Sequence, residues 1–130
     1  EGHDVMFGFR KKRKDIFLRK ITTAIYNLFA RILIKSNLTD INCGFRALNS
    51  VSAKKIVSDF KLNYIGAEIF AESKKYNLKV GELEVVHKNR AAGDSVFNGF
   101  NLIAKHSVIM IKQLIKLRKT YLKSEEFLQK

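Results

Sequence analysis

Three groups of side chains in this sequence have the types and spacing to do chemistry. Arg10, Arg19, Thr23 and Asn27 form the first. The last three recur at every fourth position, so on a helix they make one polar stripe. A guanidinium and a hydroxyl one turn apart can hold a phosphate, the first with a fork of donors and the second with one more. Arg10 closes a strand-like segment, a common place for ligand contacts in α/β folds. The competing reading is the solvated side of an amphipathic helix, and spacing alone favours it. The second group is Asp40 to Arg46, D-I-N-C-G-F-R. A carboxylate and an arginine there flank Gly44 and can orient an acceptor or a neighbouring charge. The plainer alternative is a structural Asp40–Arg46 pair, with Phe45 anchoring the loop in the core. Cys43 has no histidine placed to activate it and reads as a small buried filler. The third group is His87 to Ser95, where Arg90, Gly93 and Ser95 precede a helical pattern. Basic side chains before a helix N-terminus suit a phosphate. An ordinary loop with Ser95 as a helix cap fits equally well, and no G-x-x-x-x-G-K-[ST] is present. Glu68 and Glu82 fall in elements that pack, Glu68 reaching toward the site or a loop amide. Catalysis by either is the lesser reading. His3, His87 and His106 have no metal-ligand spacing.

Periodicity supplies the elements that must position these groups. Residues 3–9 read as a short buried strand, with Gly8 permitting close backbone approach. Residues 15–35 read as a helix whose apolar face is Phe17, Ile21, Ala24, Ile25, Leu28 and Ile32. Arg19, Thr23 and Asn27 lie opposite that face. Residues 37–49 read as a loop followed by a short extended piece. Ser50 or Ser52 can cap a helix over residues 53–60. A second helical pattern covers 65–76 and stops at Asn77. Residues 79–87 alternate as a strand should, with Val80, Leu83, Val85 and Val86 as core candidates. A last helix over 97–122 presents Phe100, Ile103, Ser107, Ile111, Leu114, Ile115 and Leu122 on one face. Lys105, Lys112, Lys116, Lys119 and Lys123 align on the other.

Composition narrows the classes. The chain has 130 residues, 46% of them hydrophobic, which suits a single ordered domain. One cysteine excludes a disulfide framework and a CxxC-type zinc site. No apolar run approaches the length of about 18 residues that a membrane-spanning helix needs. The start at Glu1, within a strand-like segment, reads as a piece of something longer. The net charge is +13, and it is concentrated. Arg10 to Lys20 holds seven basic residues and one acid, and Lys105 to Lys130 holds seven and two. Such charge fits nucleic acid, an anionic membrane or phosphorylated substrates.

Read in order, these segments resemble the C-terminal half of a family 2 glycosyltransferase domain of the dolichyl- or polyprenyl-phosphate sugar synthase type. The resemblance rests on D-V-M-F-G-F-R at Asp4–Arg10 and on R-x-x-x-[ST]-x-x-x-N at Arg19, Thr23 and Asn27. Its most specific part is D-x-x-C-G-F-R-A at Asp40–Ala47. Glu68 in its helix, the strand around Lys79–Val86 and R-x-x-G-x-S at Arg90, Gly93 and Ser95 complete it. It implies an α/β fold, the C-terminal part of a GT-A (Rossmann-like) domain, with short strands and amphipathic helices. Residues 1–107 would be that half-domain, and 108–130 the remainder of the basic C-terminal helix with a frayed tail.

The same resemblance implies roles. Arg10, Arg19 and Thr23 match positions that meet an acceptor lipid phosphate, and Arg90 with Ser95 a loop closing over the donor diphosphate. Asp40 and Arg46 match the acceptor-side loop and are the candidate catalytic residues. The implied partners are a nucleotide sugar, a polyprenyl or dolichyl phosphate, and an anionic membrane at its cytoplasmic face. The complete enzyme would use a divalent metal, Mg or Mn. Its D-x-D ligands and the D-D-x-S segment are not in this chain, so the chain alone is expected to be inactive and to bind no metal. Phe9 replaces the usual Ser after Gly8. A relative acting on a saccharide hydroxyl would instead need a base, with Asp40 the first candidate. A nucleic-acid module is a third reading, from charge alone. Tyr26, Tyr64, Tyr76 and Tyr121 are scattered and form no stacking platform, so nucleic acid is not among the expected partners.

Overall fold

The computed structural model describes residues 2–11, 17–58, 65–86 and 100–121. Within them the chain is a small α/β domain, a three-stranded mixed sheet with four helices. The strands are β1 (Val5–Phe9), β2 (Arg46–Leu48) and β3 (Val80–Glu84). The helices are α1 (Phe17–Ile34), α2 (Ser50–Ser58), α3 (Ile65–Lys75) and α4 (Phe100–Tyr121). The sheet order is β2-β1-β3, antiparallel on one side of β1 and parallel on the other.

β1 is central because it is the most apolar strand, and its alternation decides its faces. Val5 and Phe7 are fully buried and meet the helices, Phe7 edge-on to Phe70 with ring centroids 6.5 Å apart. On the other face Gly8 brings the backbone close to its neighbours. A Cβ there would lie 3.0 Å from Phe45 Cβ and from Val85 Cγ1. Asp4 ties three segments together at the start of β1. Its carboxylate accepts hydrogen bonds from Lys79 N (2.9 Å) and Asn49 Nδ2 (2.9 Å). The Lys79 amide bond is the main reason its pKa lies below the ordinary 3.8.

Local signals end and begin the helices. Asn77, with φ of 51°, stops α3, as its sequence position predicts. Leu78 N donates to Ser73 O (2.8 Å) and Asn77 N to Lys74 O (3.0 Å), which closes the helix end in a Schellman motif. The cap of α2 is Asn49 rather than Ser50 or Ser52. Its Oδ1 accepts from Ser52 N at 2.8 Å, and an amide carbonyl can reach that N–H as well as a serine hydroxyl can.

The helix faces differ from the periodicity in one respect that matters. α1 buries Tyr26, Ala30 and Ile34 and leaves its expected core face outside. Phe17 is 77%, Leu28 55% and Ile32 60% exposed. Arg19, Thr23 and Asn27 are half-buried on the inward side. α4 packs along α1 and buries Ile103 and Leu114 as expected, but also Met110 and Leu117, while Ile115 stays exposed. Phe45 is about half exposed rather than anchored in the core, and Val86, a core candidate, is exposed. Cys43 is buried, as its small size suggested.

Candidate functional site

Parallel strands end together, so β1 and β3 deliver their C-terminal residues to one edge of the sheet. Arg10 follows β1 there. Its Nε donates to Asp40 Oδ2 at 2.7 Å and its Nη2 to Asp40 Oδ1 at 3.1 Å. This is a fork-to-fork pair, geometrically the strongest arrangement for these two groups. Both side chains are well covered, Asp40 6% and Arg10 16% exposed. Asp40 is therefore paired with Arg10, 30 positions away, and not with Arg46 as the plainer loop reading supposed.

Residues 35–45 form the loop that Asp40 belongs to, and beyond Arg10 three elements hold it. From α1, Asn27 Nδ2 donates to Thr39 O at 3.0 Å. From β3, Glu82 accepts from Thr39 N (2.7 Å) and Thr39 Oγ1 (3.0 Å). Within the loop, Cys43 N donates to Asp40 O at 3.1 Å and closes a turn. On the far side, the N-terminus of α3 presses against it. Gly66 leaves room there for the Ile41 carbonyl and the Arg46 guanidinium.

Arg46 opens β2 and turns its guanidinium back under the loop, with Nη2 3.5 Å from Ile41 O. Burial pushes its pKa below the ordinary value, while Cys43, Tyr26 and Asp40 pull it back up. The guanidinium stays charged, since no protein environment brings an arginine near neutrality. Arg46 Nε and Asn27 Oδ1 are both buried without a hydrogen-bonding partner among the described residues. One is a donor and the other an acceptor, and each is held on an element that supports the loop.

The structure thus brings Arg10, Asp40, Arg46 and Asn27 to one loop and sets Arg19 and Thr23 on the same inward side of α1. Arg90 and Ser95 lie outside the described residues. Glu82 takes a different part from either one weighed for it. It is a clamp on Thr39, a residue the motifs did not single out. The only signal in the sequence is a carboxylate on the strand face that also carries Val80. Glu68 is fully buried in α3, as is Glu72, which faces Lys75 Nζ at 3.4 Å. Among the described residues, no three His, Cys, Asp or Glu side chains come together as a metal site. The divalent ion implied by the resemblance has no donor set there. No described helix is long and apolar enough to cross a membrane.

A search of the curated proteins finds similarity to an uncharacterised protein of Methanocaldococcus jannaschii, MJ1222. The two are 26% identical over 116 residues, which cover 81% of this chain and 48% of that protein. The chain spans about half the length of the relative it matches. No family model matches the chain, and no solved structure does.

Proposed function

We propose that this chain forms the acceptor side of a family 2 glycosyltransferase with a GT-A domain. That enzyme moves a sugar from a nucleotide-sugar donor to a polyprenyl or dolichyl phosphate. The work takes place at the cytoplasmic face of a membrane, with the lysine side of α4 toward anionic lipid. The observation that carries the reading is the inward turn of Arg19, Thr23 and Asn27 on α1. A solvated stripe would face water. This one is half-buried on the side of Tyr26 and Ala30, and its Asn27 is bonded to the loop that holds Asp40.

In this reading the arginines meet the acceptor phosphate and hold it in line with the donor. A phosphate monoester is already anionic near neutral pH, so its oxygen attacks without a strong base. Asp40 then acts as a positioning residue, because both its oxygens are bonded by Arg10. The divalent ion, with ligands elsewhere in the complete enzyme, would neutralise the leaving diphosphate.

The test uses a short, soluble acceptor head. Geranyl phosphate is expected to bind the chain at least about tenfold more tightly than geraniol, the difference one good charge-assisted contact makes. Arg19→Gln is expected to remove most of that preference. Equal binding of the phosphate and the alcohol, or an Arg19→Gln variant indistinguishable from the parent, contradicts the reading.

A further inference from the structure

Thr39 is an exposed loop residue with every polar group engaged. Its N–H and its hydroxyl both donate to the Glu82 carboxylate, at 2.7 and 3.0 Å. Its carbonyl accepts from Asn27 Nδ2 at 3.0 Å. These partners come from β3 and α1, 43 and 12 positions away. The next residue, Asp40, is held as completely, because both carboxylate oxygens take nitrogens of Arg10 at the end of β1. Five hydrogen bonds therefore converge on two consecutive residues from three directions.

Stability does not account for the Glu82 bonds. They lie at the surface, where a carboxylate gives up good bonds to water to make them and the net gain is small. What they fix is position. Glu82 stands on β3 beside Phe7, three residues short of Arg10 along the neighbouring parallel strand. One sheet thus holds Thr39 from β3 and Asp40 from the end of β1. The fork between Arg10 and Asp40 is sensitive to that placement. Its longer bond is 3.1 Å, and withdrawing the carboxylate by about half an ångström takes this bond past the useful range. Asn27 carries the same constraint to α1, where Arg19 and Thr23 share its stripe.

We infer that Glu82 is a positioning residue of the phosphate site, an inference that rests on the acceptor-phosphate reading proposed above. Acting through Thr39, Glu82 sets the Arg10–Asp40 pair and the α1 stripe at the spacing an acceptor phosphate needs. Its effect on the Arg10–Asp40 pair does not depend on what the site binds.

Two measurements on the full chain test this, and the first needs no acceptor. A double-variant cycle of Arg10→Met and Asp40→Leu is run by urea denaturation with Glu82 and again with Glu82→Ala. The coupling between Arg10 and Asp40 is expected to fall to about half or less in the Glu82→Ala background. A purely structural Glu82 would lower the stability of every protein alike and leave the coupling unchanged. Amide exchange gives the same reading in the single variant, should the multiple variants fail to fold. The Cys43 N–H, which donates to Asp40 O at 3.1 Å, is expected to exchange at least about tenfold faster in Glu82→Ala, with the amides of β1 and α3 unchanged. The second measurement compares geranyl phosphate with geraniol. Glu82→Ala is expected to lose at least about threefold of the preference for the phosphate, and Thr39→Ser, which keeps both donors, to retain it. Unchanged coupling with unchanged Cys43 exchange, or an unchanged preference in Glu82→Ala, overturns the inference. A parent chain without any preference for the phosphate overturns the proposed function, and the coupling then decides alone whether Glu82 sets the Arg10–Asp40 pair.

Discussion

Replacing Asp40 with alanine is expected to destabilise the domain by about 3 kcal/mol, mostly by taking from the well-covered Arg10 guanidinium the carboxylate that bonds two of its nitrogens. The loss is larger than that of a surface ion pair because both partners are largely withdrawn from water. Breaking a fully buried pair costs roughly 3–5 kcal/mol, and the partial exposure of Arg10 sets the value at the low end. Arg10→Met alone takes from the buried Asp40 carboxylate the guanidinium that bonds both its oxygens and is expected to cost a similar amount. The double variant Arg10→Met/Asp40→Leu removes both charges and is expected to lose clearly less than the two single losses together. Urea denaturation of all four proteins measures the cycle. A single-variant loss below about 1 kcal/mol, with additive double, would place the pair among ordinary surface bridges. A further exchange bears on the proposed function. Under that proposal, Asp40→Asn in the complete enzyme is expected to reduce sugar transfer modestly, whereas near-complete loss with intact donor binding would mark Asp40 as a base for a hydroxyl acceptor.

Gly66→Ala is the second large effect. A methyl at that position would overlap the Ile41 carbonyl and lie 2.6 Å from Arg46 Nη2. The arginine tip can move, but the carbonyl is backbone in a loop held from three other directions. Relief must therefore come from separating α3 from the loop, which also exposes part of the Phe70 and Ile41 core. Overpacking of this kind typically costs about 1–3 kcal/mol, and the backbone obstacle puts this case near the top of that range. The damage is directed: the variant should also bind geranyl phosphate more weakly, since Arg46 and Asp40 share the displaced loop. A stable variant with unchanged phosphate binding would separate the α3 contact from the site.

Much of the fold was legible because local chemistry and tertiary structure agree. β1 is apolar enough to be central, Gly8 marks the close approach it makes, and Asn77 stops α3 in the left-handed conformation. α1 was legible as a helix but not in its orientation. Periodicity divides a helix into faces, and the rule that apolar faces point inward then assigns them. Here the inward side instead finds polar partners, Asn27 to the Thr39 carbonyl, while Tyr26, Ala30 and Ile34 supply enough apolar packing to hold the helix. The apolar strip is left outside. That inversion is the kind of local conflict expected where a surface serves a function rather than stability.

The candidate site was half legible for a related reason. The residue types and their order point to phosphate chemistry, and Arg10, Asp40 and Arg46 do share a loop. Which carboxylate holds which arginine depends on contacts across tens of residues, which spacing cannot supply. Asp40 and Arg46 are six positions apart and looked like natural partners. The sheet instead delivers Arg10 to Asp40 because β1 ends beside the loop. The Glu82 clamp on Thr39 was invisible for the same reason, since β3 and the loop meet only through the parallel pairing of β1 with β3.

The proposed phosphate site depends on which side of α1 faces the domain, and thiol labelling tests this most directly. In a Cys43→Ala background, a cysteine is placed either at Ile32, on the outer strip, or at Ala30, 1% exposed on the inward side. Each variant is then treated with a water-soluble maleimide in the absence of lipid. The orientation described here predicts that Ile32→Cys reacts at least about tenfold faster than Ala30→Cys, which must wait for local opening. The reverse order, with Ala30→Cys labelled quickly and Ile32→Cys protected, would turn α1 over and contradict the proposed function.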